Sequence, residues 1–424
     1  MTVLRIVELS EEISRQSKII SDFLNSKGLE APSFDVNAPD AYPIAPTDGA
    51  PFFARFALID ATEELHRLAL GPKECLRYMA WGSMSELCLR AIYHWDIAKA
   101  VPLSGQISYE ELASSVNLDI VNLRRIIRHA ILSNVFKEPT KGFVAHSRIS
   151  QLLAEDEALQ AWVGMWMEDL WPAVLHTVDA LDKWPESQEP EHNGFSIANG
   201  TEARFFSIIS SSEDRVKRYG KGIAAHAGSA DNAVGHLGAG YPWARLGKAQ
   251  VIDVGGGRGQ AAMAVAKANP DLHCTVQELP MLITPELVST IPEDLKGRIS
   301  FEVHDFLTPQ TKQADLYLFR WIMHNWSDKY VILILKQLIP ALKPGARILI
   351  NEGLLPDPRD VGHYQEQLAR KMDLVMLITA NARSRDLDDW KMLFTAAHQY
   401  YRFLGAWKPE GSIMWIVEAE WTPS

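Results

Sequence analysis

VIDVGGGRGQAAMAVAKA, residues 251–268, reads as a buried strand, a tight turn and a helix. The apolar run carries Asp253 near its end. Gly255, Gly257 and Gly259 follow at G-x-G-x-G spacing, before an alanine-rich helix. Glycines there let the backbone turn sharply and lie close to a bound ligand, so a valine at 257 is expected to crowd the turn. The dinucleotide fingerprint G-x-G-x-x-G needs a glycine at 260, where this chain has Gln260. The turn therefore suits a tail without a pyrophosphate, such as methionine or homocysteine.

Further short apolar runs lie outward from this stretch, at residues 274–277, 299–304, 316–319, 347–351 and 412–421, separated by helical or polar segments. Buried runs alternating with helices predict a parallel α/β sheet covered on both faces. Polar residues fall at the run ends, where open sheets bind ligands. Glu278 lies about twenty residues past the glycines and can accept hydrogen bonds from both ribose hydroxyls. Asp305 and Phe306 can bind an adenine amino group and cover its ring. His324 follows the fourth run between Trp321 and Trp326, and Glu352 follows the next. A histidine that takes a proton from a hydroxyl needs its other ring nitrogen held, and a carboxylate does this. Singly, Glu278 also reads as a solvated loop acid and His324 as a core group; their order along one sheet points to a site.

The N-terminal half is helical. Ile6, Leu9, Ile13, Ile20 and Leu24 recur at helical spacing, ahead of a proline-rich arm through Pro51. Ser108 with Glu111 predicts a capping box, and Asp119 predicts the cap of a helix that carries Arg124, Arg125 and Arg128. Residues 135–137 and 143–145 read as a hairpin, which completes a winged-helix-like unit. Such a unit suggests a DNA-binding regulator or an all-helical domain that shares the shape. The expected division is 1–155 for a winged-helix-like dimerisation domain and 156–424 for the α/β domain.

Net charge favours the second alternative. The 424 residues carry a formal charge of -11, which repels phosphate backbones and anionic lipid. Nucleic acid and membrane are therefore excluded as expected partners. Three distant cysteines, Cys75, Cys88 and Cys274, rule out a disulfide framework and a thiolate zinc site, and fit a cytoplasmic protein. The N-terminus is charged within its first ten residues and does not read as a signal peptide. The site motifs offer no metal ligand cluster, so no metal is expected.

Together VIDVGGGRG, QELP (277–280), VHDF (303–306), FRWIMHNWSD (319–328), NEGLLP (351–356) and the terminal strand resemble the plant and fungal small-molecule O-methyltransferases related to caffeic acid O-methyltransferase. The likeness covers nearly the whole chain. It implies a Rossmann-like class I methyltransferase domain, S-adenosylmethionine as cofactor with S-adenosylhomocysteine as its product, and a homodimer. It implies His324 as general base and Glu352 as its orienting acid. Asp253, Gly255, Gly257, Gly259, Glu278, Asp305, Phe306, Arg320 and Trp326 would hold the cofactor. Trp162, Met165, Trp166 and Trp171 match substrate-lining helices, although core is the default for such a stripe. The expected acceptor is a hydroxylated aromatic, polyketide or pyridone of secondary metabolism. Two positions depart from the pattern: Ser384 stands where a second acid is expected, and Asn325 where an aspartate is. A fungal branch of the same family performs dehydration and pericyclic chemistry with the cofactor intact, and this remains the alternative expectation.

Overall fold

The computed structural model describes residues 4–423, which form two compact units. Among these, the first comprises residues 4–172, 206–227 and 362–365; the second comprises residues 173–205, 228–361 and 366–423. The first unit runs past residue 155 because helix Glu157–Gly164 lies tightly against helix Glu213–Ala227. A Cβ at Gly222 would stand 3.2 Å from the Trp162 backbone.

In the first unit, helix Arg5–Lys27 buries Leu9, Ile20 and Leu24, while Ile6 stays exposed. Ile20 and Leu24 cluster with Ile44 of the proline-rich arm and Ala54 of helix Ala50–Ala80. The two expected caps are present. Ser108 Oγ accepts the Glu111 amide at 3.2 Å, opening helix Tyr109–Ser115, and Asp119 accepts the Asn122 amide at 3.0 Å, opening helix Ile120–Ile131.

The hairpin expected next is corrected. It shrinks to one bridge, Lys137 to Ala145, while β2 (Phe143–Val144) pairs antiparallel with β1 (Ile107–Ser108). Burial explains the switch: Val144 is fully buried against Tyr109, Leu112 and Ile127. The basic helix face is also used internally. Arg128 makes two hydrogen bonds to Glu138, at 2.9 and 2.8 Å, and both Arg124 and Arg128 lie over the Tyr109 ring.

The second unit is built on a seven-stranded sheet. Its strands are β3 (Ala249–Val254), β4 (Leu272–Glu278), β5 (Ile299–Val303), β6 (Ala314–Arg320), β7 (Leu342–Glu352), β8 (Tyr401–Trp407) and β9 (Trp415–Trp421). Their order is β5-β4-β3-β6-β7-β9-β8. β3 to β7 are parallel, but β9 runs antiparallel to both neighbours, so the expected parallel sheet is mixed at one edge. The seven residues between β8 and β9 are too few for a parallel crossover, which takes a dozen or more.

Successive residues of the central strands feed two cores. Ile252, Tyr317, Phe319 and Ile348 pack with Ile334, Leu335, Trp390 and Phe394 on one face. Val251, Leu316, Leu318 and Leu349 pack with Ala262 and Val265 on the other. No helix among the described residues is long and apolar enough to cross a membrane.

Candidate active site

Strand order reverses about β3 and β6, and the polar residues cluster at the C-terminal ends of the strands flanking that point. Gly255, Gly257 and Gly259 follow β3 with φ of 67°, 54° and 74°, a left-handed backbone that L side chains rarely adopt. A Cβ at Gly255 would lie 2.7 Å from Ile322 Cδ1 and 3.5 Å from the Phe306 ring. At Gly257 it would meet nothing within 4 Å. The crowding expected at 257 therefore belongs to 255; at 257 the cost of a side chain is backbone conformation.

Asp253 lies beneath this turn, fully buried. Its Oδ2 accepts the Ala262 amide at 3.1 Å, while Oδ1 has no hydrogen-bond partner among the described residues. A Cβ at Gly256 would fall 2.5 Å from that carboxyl, so glycine is needed to close the turn over it. Burial pushes Asp253 up to about 7, against the Ala262 amide and the charge of Arg320. Enclosed in this way, Asp253 braces the turn from below instead of presenting its carboxylate at the surface.

Glu278, the last residue of β4, reaches back to the turn. It accepts the Gly257 amide at 3.1 Å and the Leu279 amide at 2.9 Å, and burial raises its pKa. Asp305 is exposed and accepts the Leu307 amide at 2.9 Å. Phe306 stands edge-on to Trp326 with centroids 5.7 Å apart. Arg320 hydrogen-bonds Asn351 and the Asn232 carbonyl, and burial pulls it down to about 10.

His324 sits in a single turn, Met323–Asn325, after β6. Its backbone amide donates to Glu352 Oε2 at 3.1 Å, at the end of the adjacent β7. Glu352 is fully buried, Oε1 has no hydrogen-bond partner among the described residues, and burial pushes the carboxyl up to about 7. The hydrogen bond that joins Glu352 to this turn is made by the His324 backbone amide. Asn325 donates its side-chain amide to the Trp321 carbonyl at 2.9 Å, stapling the turn. Ser384 is buried, and its backbone amide donates to Asp373 at 2.7 Å.

Arg385, Asp328, Asn351 and Asn232 also build this region and were missed. An isolated arginine or asparagine carries no sequence signal for burial; only tertiary folding encloses it. In the first unit, Trp162 stacks on His226 at 4.9 Å and meets Trp166 edge-on at 6.1 Å, while Met165 is buried. No group of three or more His, Cys, Asp or Glu among the described residues could hold a metal ion.

The chain matches the O-methyltransferase domain family over residues 181–399. It is 36% identical to the grayanic acid biosynthesis cluster O-methyltransferase of Cladonia grayi, covering 99% of this chain and 88% of that protein. It is 35% identical to a chlorophenol O-methyltransferase of Trichoderma longibrachiatum, covering 98% and 90%. Its fold matches the solved structure of OxaC in complex with SAH and oxaline, with a TM-score of 0.75 and 20% identity over 98% of this chain and 100% of that one. The chain belongs to the fungal-type small-molecule O-methyltransferase family and is an S-adenosylmethionine-dependent O-methyltransferase.

Proposed function

We propose that this enzyme methylates a hydroxyl group of a planar phenol, polyketide or pyridone, with His324 as general base and Glu352 as its orienting acid. The observation that carries the reading is the bond from the His324 backbone amide to Glu352, which brings these two residues together at the ends of β6 and β7, on the strand edge that bears the glycine turn. The residues suit the cofactor. Space is open beside Gly257, the Glu278 carboxylate stands against that turn, and Phe306 and Trp326 offer aromatic faces. Gly255, Gly257, Gly259, Glu278, Asp305, Phe306, Arg320 and Trp326 would hold it, with Asp253 bracing the turn. When bound, S-adenosylmethionine supplies an electrophilic methyl group on a sulfonium.

The chain's own residues supply the rest. His324 removes the acceptor's hydroxyl proton, a contribution of roughly 10²–10⁴-fold. Glu352 fixes the His324 backbone and, when ionised, stabilises the imidazolium. The name of the chlorophenol relative supports a phenolic acceptor. A homodimer through the helical N-terminal region and a cytoplasmic location complete the proposal, with neither nucleic acid nor membrane as partner.

The test compares His324→Ala and Glu352→Gln with the parent enzyme in turnover and in calorimetry of cofactor binding. His324→Ala should lose roughly 10²–10⁴-fold in turnover and keep its affinity for S-adenosylmethionine. Glu352→Gln should lose less, because an amide still accepts the His324 amide proton. Parent-like turnover by His324→Ala would sink the assignment of the base.

A further inference from the structure

Arg385 is an unusual arginine: its side chain has 0% exposure. Nη1 donates to the Met323 carbonyl at 3.0 Å and Nη2 to the Trp326 carbonyl at 2.7 Å, so the guanidinium grips the chain on both sides of His324 and Asn325. Nε and Nη2 also donate to Asp328 Oδ1, at 3.1 and 2.9 Å, just beyond the same turn. The Arg385 backbone meets the other strand end: its carbonyl accepts the Leu355 amide at 2.9 Å, and it bridges Leu354, two residues past Glu352. One residue therefore touches both loops that bear the proposed acid and base.

We infer that Arg385 is the positioning residue of this site, setting His324 through the Met323 and Trp326 carbonyls and Glu352 through the pairing at Leu354 and Leu355. The inference rests on the reading of His324 and Glu352 given above. Stability alone is a weak reason to bury such a group, since a well-packed apolar side chain often serves as well as a buried ion pair. A planar fork of five donors can hold acceptors on several sides at once, which a lysine ammonium on a flexible stem does not reproduce.

The charges agree with this geometry. Glu352 faces the Arg385 charge and the His324 amide, both of which favour its ionised form against burial. Arg385 also faces Asp328 and Arg383, and Arg383 is paired in turn with Asp389. Burial opposes ionisation of Asp328, yet the Arg383 hydrogen bonds and the Arg385 charge hold it below its ordinary value. Removing the Arg385 cation should therefore raise Glu352 further.

The His324 amide proton reports on Glu352 directly, because it is hydrogen-bonded to that carboxylate. Labelling the 13 histidines with ¹⁵N gives a sparse amide spectrum of the full chain, and His324→Ala identifies the signal of interest by its loss. In the parent protein this signal should carry a component that titrates with Glu352, and Glu352→Gln should remove that component while leaving any due to the His324 ring itself. Arg385→Met should move the midpoint to higher pH by at least about tenfold in proton concentration. Arg385→Lys keeps the charge and loses the fork. It should displace the His324 signal and lower kcat roughly 100-fold with little change in KM or cofactor affinity, a loss larger than the accompanying drop in melting temperature explains.

An unchanged His324 signal and unchanged kcat in Arg385→Lys would overturn the inference, and this variant decides the matter if Arg385→Met does not fold. A loss of kcat that merely tracks lost melting temperature and cofactor affinity, with the signal unmoved, would also overturn it. The two readings fail separately: an active His324→Ala removes the base assignment, whereas an inert one beside an unaffected Arg385→Lys removes only the role of Arg385.

Discussion

Asp253 and Glu352 are acids enclosed at 0% exposure, and burial pushes both up to about 7. Their folded values lie above the ordinary carboxylate range, so the protonated forms favour folding at low pH. That contribution is lost as pH rises through about 7. Asp253→Asn removes one such group, so its melting temperature should gain on the parent between pH 5 and pH 8.5 in thermal scans without cofactor. A gap that is constant with pH would contradict the assigned burial. For activity the sign is opposite: Glu352 must be ionised to stabilise the imidazolium, so turnover should climb from pH 6 to pH 8. The places of His324, Glu352 and Glu278 at neighbouring strand ends were legible because short apolar runs mark where each strand stops. Their orientations were not. Asp253 turns inward to the Ala262 amide, Glu352 meets a backbone amide, and Arg385 is enclosed by segments more than fifty residues away.

Strands buried on both faces could be read from sequence because each is a short apolar run, as in LYLF at 316–319. β8 escaped because it is an edge strand, largely half-exposed, with an irregular register between Phe403 and Gly405. The 135–145 hairpin shrank to one bridge for a related reason. Two-residue strands take their pairing from the core they cover, and β1 offers β2 the partly buried Ile107 at the edge of that core. Glu138 then holds the element in place by accepting from Arg128, the Tyr109 hydroxyl at 3.1 Å and the Gly142 amide at 2.8 Å. The Arg128 hydrogen bonds hold its pKa down to about 2. Its contribution is present above the ordinary carboxylate value and lost as pH falls towards 2. Glu138→Ala should cost about 1 kcal/mol in urea unfolding at pH 7, the half-exposed Arg128 being screened by water, and less at pH 3. An equal cost at both pH values would show that the ionised carboxylate is not what matters.

At the scale of the whole molecule, the first unit leaves large apolar side chains in water: Leu76 is 70% exposed, Met79 77% and Trp81 68%. Covering them in a homodimer is the expected remedy. Light scattering at micromolar protein should give twice the chain mass, and removal of residues 1–50 should weaken the association. A stable monomer would contradict the proposed assembly. The chain's family gives methyl transfer, and the proposed site lies at the strand ends of the second unit. The most direct measurement is mass analysis after incubation with methyl-labelled S-adenosylmethionine and hydroxylated aromatic acceptors. The account predicts a product that carries the labelled methyl on oxygen, with one S-adenosylhomocysteine formed for each product and both formed roughly 10²–10⁴-fold more slowly by His324→Ala. A product of unchanged mass, made in the presence of cofactor that is not consumed, would contradict it and establish pericyclic chemistry in its place.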